Sequence, residues 1–551
     1  MEYSKLLNGF CDMRFDFNLI IHLIVLFFLI SCAPKTGAFK VYNNEVEVTS
    51  APDPLFGYQW FLGGTTVASS VNINASPVWE TGNKGEDVHI AIVDPSSIFL
   101  SHADLNDNKD LSRSFNFLNP TSGTDTTITG AESHGTCVAG VIGAKDENGK
   151  GIRGIASRAS LSARTTSGKN TDIFDALTYK YSETDISSNS YGPPDNVAEL
   201  NQYYTLDIFD QGISTGLTLG RNGLGTIYIW AAGNGRQIYD RSNYDGYASH
   251  YGVMSICSIS EQGKISFFSE AGSNLWVCAP GEDLPTTDYL GLNCSNGEDN
   301  GNDFSDSAYT RGFTGTSAAA PVVSGVVGLV LREAKLQKKD LGWRDVKMII
   351  AESATKPAAV SWQLSRIKFQ DDFGFGIINA QAAVALVKDW IPVGNTEWKS
   401  KILGASLLGP TSSGGLDDSA GSYLSMKNFI VDNSRIEDGV SVFNSTISYI
   451  EYITLEVKIT HSDPGDLELS IQKTPLAGGS AILSKIAKPH DCNNDSGAVA
   501  CTSATNYLFE FGVTNFLGES AEGTWELKVR DARSNGNSGS IIGWRLKIYG
   551  H

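Results

Sequence analysis

Three polar residues sit where apolar or small-residue runs begin or end. Asp94 closes the run Val88-His89-Ile90-Ala91-Ile92-Val93, His134 opens His134-Gly135-Thr136, and Ser317 lies in Gly315-Thr316-Ser317-Ala318-Ala319-Ala320-Pro321, ahead of a long apolar stretch. A serine hydroxyl is a weak nucleophile near neutral pH and is activated when an imidazole takes its proton. A carboxylate on the other ring nitrogen fixes the imidazole tautomer and stabilises the imidazolium. Asp94, His134 and Ser317 supply these parts, in one of the three chain orders in which unrelated folds assemble them. Asn234, in Ala231-Ala232-Gly233-Asn234-Gly235, adds an amide N–H that could bind an oxyanion together with the Ser317 backbone N–H. Such a donor contributes about 3–4 kcal/mol to the transition state. An isolated Asn-Gly reads as a turn and an isolated Gly-Thr-Ser is uninformative; the succession of motifs points to acyl transfer.

The elements that must hold these residues can be read from periodicity. The near-continuous apolar runs 88–93 and 226–232 fit strands buried on both faces of a parallel sheet. Ala318 to Lys335 and Ala380 to Trp390 read as helices, so strands and helices alternate as in an α/β domain. Beyond Trp390 the texture changes. Residues 410–423 are rich in Gly, Ser and Asp and read as a linker, after which 453–459, 467–471 and 525–529 alternate with period two. That pattern predicts an antiparallel β-sandwich.

Composition sets limits on the partners. With 41% hydrophobic and 10% aromatic residues the 551-residue chain can build packed cores, which excludes an intrinsically disordered protein. Its 42 basic against 61 acidic residues, a net charge of −19, argue against nucleic acid as a partner, since phosphate binding needs a basic patch. The same balance suits cationic substrates or bound metal ions. Leu19 to Ile30 is apolar except for His22. It is short of the ~20 residues of a membrane span and reads as the core of a signal peptide. The ending Leu29-Ile30-Ser31-Cys32 resembles a bacterial lipoprotein box, with Met13 an alternative start and plain secretion the alternative fate. An exported chain can form disulfides: Cys492 with Cys501 brackets a short polar loop, Cys278 with Cys294 is a second pairing, and Cys137 reads as a buried free thiol without a catalytic role.

With its Asp94, His134, Asn234 and Ser317 motifs the chain resembles the subtilisin-like serine peptidases, and within them the kexin-like proprotein processing peptidases. Asp53-Pro54-Leu55-Phe56 with Gln59-Trp60 is similar to the start of their mature catalytic domain, and Trp343-Arg344-Asp345-Val346 and Phe373-Gly374-Phe375-Gly376 match later landmarks. Gly465-Asp466-Leu467, Glu522-Gly523-Thr524-Trp525 and Gly543-Trp544-Arg545-Leu546 resemble their P domain. The resemblance implies an α/β subtilisin-like domain with a mainly parallel sheet, followed by an all-β jelly-roll-like sandwich. The expected division is a signal segment 1–32, a short linker 33–52, a peptidase domain 53–392 and a P domain 393–551.

The resemblance also implies a specificity. Ser190-Tyr191-Gly192-Pro193-Pro194-Asp195 matches the family's Ser-Trp-Gly-Pro segment with its acidic S1 residue, and Asn243-Tyr244-Asp245-Gly246-Tyr247 matches the segment holding the second. Asp195 and Asp245 would face a P1 Arg or Lys between the walls of Tyr191 and Gly192; paired carboxylates suit a guanidinium. Asp195, Asp240 and Glu270 align with ligands of a Ca²⁺ beneath that pocket, and Asp53, Asp104 and Asn148 with those of a second Ca²⁺. Asp175 is either an acidic S4 residue or a solvated helix position.

Two departures qualify this pattern. Pro95 stands where the family has a carboxylate that helps hold a basic P2 residue, so P1 selectivity is expected and strict dibasic selectivity is not. Only about twenty residues separate Cys32 from Asp53, too few for the family's folding propeptide, so folding is unassisted or helped by a separate chain. The leading expectation is an exported, monomeric, calcium-dependent serine endopeptidase acting on peptides with basic residues and anchored to a membrane by a lipid on Cys32. The alternatives are a broad-specificity protease and a catalytically inactive surface-binding lipoprotein. The P domain is expected to stabilise the peptidase domain through an apolar interface.

Overall fold

The computed structural model describes residues 52–63, 71–127, 132–195, 207–289, 294, 304–393, 399–404, 415–416, 424–431, 447–475, 479–494, 497–499, 501 and 503–551. The signal segment, the linker 33–52 but for its last residue, Cys32 and most of the linker-like stretch 410–423 lie outside the described residues.

Seven strands form one parallel sheet: β1 (His89–Asp94), β2 (Phe115–Asn116), β3 (Ser160–Thr165), β4 (Ile186–Asn189), β5 (Ile227–Ala231), β6 (Val253–Ile259) and β7 (Leu275–Pro280), in the order β2-β3-β1-β4-β5-β6-β7. Every residue of β1, β5, β6 and β7 is buried, as expected when helices cover both faces of a sheet. The helix Thr316–Leu336 is long and apolar enough to cross a membrane by length and composition, yet most of it is buried, packed against β4 to β7. Its apolarity serves the core. In open α/β sheets ligands bind outside the carboxyl ends of the strands. Asp94 ends β1, Ser190 follows β4 and Asn234 follows β5, all at that edge.

Two antiparallel sheets make the second architecture. One runs β10 (Lys399–Gly404), β20 (Gly539–Gly550), β13 (Ile450–His461), β18 (Ala504–Val513), with β11 (Gly415–Leu416) also on β20. The other runs β12 (Leu424–Val431), β19 (Gly523–Asp531), β14 (Leu467–Thr474), β15 (Ile482–Ala487). Along β19 buried and half-buried residues alternate strictly. Trp525, Leu527 and Val529 thereby meet Ile453, Leu455 and Val457 of β13 in one core.

The join between the two architectures has the expected apolar part, with a polar one beside it. Tyr452, Leu517 and Tyr549 of the sandwich belong to the peptidase core, and Tyr244 of the peptidase domain belongs to the sandwich core. Between them Arg344 Nε donates to Glu451 Oε2 at 2.8 Å, Arg344 Nη2 pairs with Glu451 Oε1, and the His551 ring nitrogen Nδ1 lies 2.7 Å from the same oxygen. Thr514 Oγ1 donates to the carbonyls of Ser273 and Leu275, and Tyr452 Oη to that of Ser249. Removing one member of a buried ion pair leaves the other charge uncompensated. Glu451→Ala is therefore expected to cost about 3–5 kcal/mol, read by urea unfolding of the full chain; a loss below ~1 kcal/mol would mean the pair is solvated. Burial alone would raise the Glu451 pKa, but the bonds from Arg344 and His551 hold it below 4.5. A carboxyl lowered in the folded state adds stability above its unfolded value and loses it as the pH falls, so the variant's deficit should shrink below pH 4.5. A chain truncated after Trp390 would expose the shared core and is expected not to stay folded.

The disulfides differ from the sequence reading. Cys278 pairs with Cys257, opposite it in the neighbouring strand with Cα atoms 4.3 Å apart, rather than with Cys294. Cys294 pairs instead with Cys137, Cα atoms 5.8 Å apart across 157 residues, so Cys137 is not a free thiol. Both pairings depend on which strands and loops become neighbours, which spacing along the chain does not encode. Cys501 is disulfide-bonded; the Cys492 side chain lies outside the described residues.

Candidate active site

A cavity of about 400 Å³ opens at the carboxyl edge of the parallel sheet, and Asp94, His134, Ser317 and Asn234 all line it. Asp94 is fully buried at the end of β1. Its Oδ2 lies 2.8 Å from His134 Nδ1, and its Oδ1 accepts from Ser96 N at 2.9 Å and Ser96 Oγ at 2.6 Å. Ser96 Oγ in turn accepts from Gly135 N at 2.7 Å, tying the loop after β1 to the first turn of the helix His134–Gly143. Burial would lower the His134 pKa, but the charge and hydrogen bond of Asp94, with a further contribution from Glu132, raise it above 6.5. Phe313 meets the imidazole edge to face at 5.6 Å between centroids.

Ser317 is the second residue of the helix Thr316–Leu336. Gly315 caps that helix at φ +128°, a conformation open only to glycine. Ser317 N–H is one of the first-turn donors without an intrahelical acceptor. The Ser317 hydroxyl donates to the carbonyl of Ser190 at 3.0 Å, and the Ser190 hydroxyl donates back to the carbonyl of Ser317 at 3.0 Å. In this arrangement Ser317 Oγ is turned onto Ser190 and, among the described residues, makes no hydrogen bond to His134, although both line the cavity; catalytic hydrogen bonds commonly tighten only when substrate binds. Asn234 is fixed through its carbonyl oxygen, which accepts from Thr316 N at 2.8 Å and Thr316 Oγ1 at 3.0 Å, while Nδ2 donates to Asp195 at 3.3 Å.

The same cavity carries a cluster of acidic residues. Asp195, Asp240, Asp245 and Glu270 all line it together with Tyr191 and Gly192, and none of its described lining residues is Lys or Arg. Tyr191 stacks edge to face on Trp230 at 4.9 Å. Burial, then the charges of Asp240, Asp195 and Asp245, push the Glu270 pKa well up, and burial with the Asp195 charge pushes Asp245 up to about 7. Such an array calls for a cation. Its donors are hard oxygens, which suit Ca²⁺, and a bound ion would reverse the mutual repulsion. The backbone is shaped around Glu270: a Cβ on Gly233 would lie 2.4 Å from its Oε1, and Gly235 N donates to Oε1 at 2.9 Å.

The structure also brings Asp53, Asp104 and Asn148 together. Asn148 N donates to Asp53 at 3.3 Å, Asn148 Nδ2 to Asp104 at 2.7 Å, and burial with the Asp53 charge raises Asp104 to about 7. Arg153 already pairs with Asp53 at 3.0 Å, so this group has less unspent negative charge than the acidic cluster of the cavity. Asp175 lies on the exposed side of the helix Asn170–Thr178 and does not line the cavity. Glu132 escaped the sequence reading, its signal being its place two residues before His134, and Tyr244 stood in the segment Asn243-Tyr244-Asp245-Gly246-Tyr247 without a role of its own.

Fold and cavity together define a subtilisin-like α/β serine hydrolase joined to a β-sandwich. A family model described as the subtilase family matches residues 85–377, and one described as the proprotein convertase P-domain matches residues 450–548. The chain belongs to the subtilase family of serine proteases, in its proprotein convertase branch. It is 28% identical to Furin-1 of Xenopus laevis over 91% of this chain and 59% of that protein, so it spans about three fifths of the relative's length. It is 28% identical to Neuroendocrine convertase 2 of Mus musculus, covering 92% of this chain and 75% of that protein, and 30% identical to the Dibasic-processing endoprotease of Schizosaccharomyces pombe, covering 90% and 65%. A serine protease of Aeromonas sobria, solved in complex with a chaperone, shares the fold with a TM-score of 0.73 at 22% identity, covering 91% of this chain and 95% of that one.

Proposed function

We propose that this chain is an exported, calcium-binding serine endopeptidase that cleaves after basic residues. The observation that carries the reading is one cavity lined both by the Asp94–His134 pair and Ser317 and by Asp195, Asp240, Asp245 and Glu270, with no Lys or Arg among its described lining residues. Ser317 Oγ attacks the scissile carbonyl as His134 Nε2 takes its proton; Asp94, accepting from Nδ1–H, holds the tautomer and stabilises the imidazolium. The Asn234 amide and the Ser317 N–H receive the oxyanion. His134 then protonates the leaving amine, and water repeats the sequence on the acyl-enzyme. Asp195 and Asp245 face the P1 cation.

Asp195, Asp240 and Glu270 would hold one calcium ion, and Asp53, Asp104 and Asn148 a second. Calcium, when bound, supplies positive charge that keeps the acidic wall ionised and in place. One relative is named for dibasic processing, which supports a basic substrate; Pro95 beside Asp94 supports a P1 rather than a strict P2 requirement. The Ser96 bridge between Asp94 and Gly135 supports an intact catalytic loop and speaks against an inactive binding protein. A lipid on Cys32 rests on the leader sequence alone; loss of palmitate labelling in Cys32→Ala would test it.

The deciding experiment is a fluorogenic peptide assay with Arg or Leu at P1, on wild type and Ser317→Ala, with and without chelator. Cleavage of the Arg peptide alone, abolished by Ser317→Ala, is expected; equal rates on both peptides would favour a broad-specificity protease, and no reaction with a fluorophosphonate an inactive one. Chelation should suppress cleavage and lower Tm, with Ca²⁺ restoring both. At calcium about 100 times its Kd the ion contributes about 2.7 kcal/mol, and an unchanged Tm would count against the metal.

His134 must be neutral to accept a proton. With its pKa held above 6.5, the acid limb of kcat/KM is expected above that pH. Glu132→Gln removes a charge that favours the imidazolium, so the limb should move to lower pH; a shift to higher pH would contradict the assignment.

A further inference from the structure

Tyr244 lies between the two domains in an unusual way. It is part of the peptidase domain and its ring lines the substrate cavity, yet its buried neighbours are the core residues of the β-sandwich. Its hydroxyl accepts from Lys488 N at 3.1 Å and donates to the Lys488 carbonyl at 3.4 Å, and its ring lies 5.1 Å from that of His490. The residues beside it are tied to the same stretch: Asn243 Nδ2 donates to the carbonyl of Ile486, and Arg241 Nη2 to that of Lys485 at 3.3 Å. The segment gripped in this way begins at Asp240 and ends at Asp245, both in the acidic wall. Like charges brought together in a partly buried pocket repel, so holding the backbone between them from behind, beside its bonds to Ala271, Ser255 and Asn274 within the peptidase domain, helps the wall keep its shape.

We propose that Tyr244 is a positioning residue through which the stretch Lys485 to His490 of the sandwich sets the geometry of the acidic pocket. This rests on the reading of that part of the cavity as the P1 pocket. The sandwich then does more than stabilise the peptidase domain: it fixes the spacing of Asp240 and Asp245, and with it substrate affinity rather than the chemical step.

The test compares Tyr244→Phe, which keeps the ring and removes the hydroxyl, with Arg366→Ala. Arg366 lies over Tyr449 at 4.8 Å and donates to the Gly518 carbonyl, so this control weakens the domain contact at residues outside the cavity. Both are measured as full chains in saturating Ca²⁺, with active sites counted by a fluorophosphonate. Tyr244→Phe is expected to raise KM for an Arg-P1 peptide about three- to tenfold, the scale of one lost hydrogen bond, with kcat within about twofold; Arg366→Ala is expected to lower Tm and leave KM alone. An unchanged KM in Tyr244→Phe, or an equal rise in both variants, overturns the proposal. If wild type prefers another P1 residue, the P1 reading fails, and KM for the preferred peptide scores the coupling. Amide exchange across residues 240–245 needs no substrate and scores it in an inactive enzyme: faster exchange in Tyr244→Phe alone is expected, and equal protection in all three proteins overturns it.

Discussion

Ser317→Ala is expected to lower kcat by about a millionfold, the scale seen when one triad member is removed from subtilisin, while Tm stays near that of wild type. The fold should not notice the change, because the one described hydrogen bond of the hydroxyl, to the Ser190 carbonyl, is duplicated by the bond from Ser190 Oγ to the Ser317 carbonyl. His134→Ala should cost about as much, and the double variant scarcely more, because nucleophile and base act as a unit. Asn234→Ala should cost less, about 10²–10³ in kcat, since the Ser317 N–H would still meet the oxyanion. Single-turnover measurement on an Arg-P1 ester separates these outcomes. A residual rate within a hundredfold of wild type for Ser317→Ala would remove the serine from the chemistry.

The second large effect lies at the acidic cluster. Asp245→Asn keeps the shape of the side chain and its acceptor for Tyr247 N, which Asp245 Oδ1 now takes at 2.7 Å, and removes only charge. Losing one partner of a desolvated charge pair costs about 2–5 kcal/mol, so kcat/KM for an Arg-P1 peptide should fall about thirtyfold to several thousandfold. For a Leu-P1 peptide it should hold or rise, because an apolar side chain gains nothing from a buried carboxylate. Asp195→Asn should act in the same direction, with a larger fall in calcium affinity if Asp195 also serves the ion. A uniform loss on both peptides would assign these residues to packing.

What the sequence disclosed follows physical lines. The catalytic motifs were legible because each is contiguous and lies at the end of an element with a strong pattern: the run 88–93 became β1, and 226–232 became β5. The strands around 453–459, 467–471 and 525–529 appeared where period two placed them, as β13, β14 and β19. By contrast β3 (Ser-Leu-Ser-Ala-Arg-Thr) and β4 (Ile-Ser-Ser-Asn) carry too many hydroxyls to look buried. They are buried because the sheet pairs their backbones and several of their side chains find partners, as Ser188 Oγ does in Ser324 Oγ at 2.8 Å and Ser162 Oγ in the His89 ring at 2.9 Å. The disulfides and the Arg344–Glu451 pair were invisible for a different reason. They join positions 21, 157 and 107 residues apart and depend on topology rather than on local pattern.

The turn Gly233-Asn234-Gly235 has a consequence for how such an enzyme can change. Its two glycines press against Glu270, Asp195 and Asp240, where any added carbon would collide, and the residue between them carries the amide proposed to meet the developing negative charge. On the proposed function, selectivity and turnover are thus cast in one short piece of backbone. A lineage, or a protein engineer, that abandons basic substrates by rebuilding the pocket floor loses the aim of that amide in the same step. New preferences should therefore enter at exposed lining such as Pro194, rather than at Tyr191, which packs on Trp230, or Gly192, whose Cβ would lie 3.2 Å from Asp245.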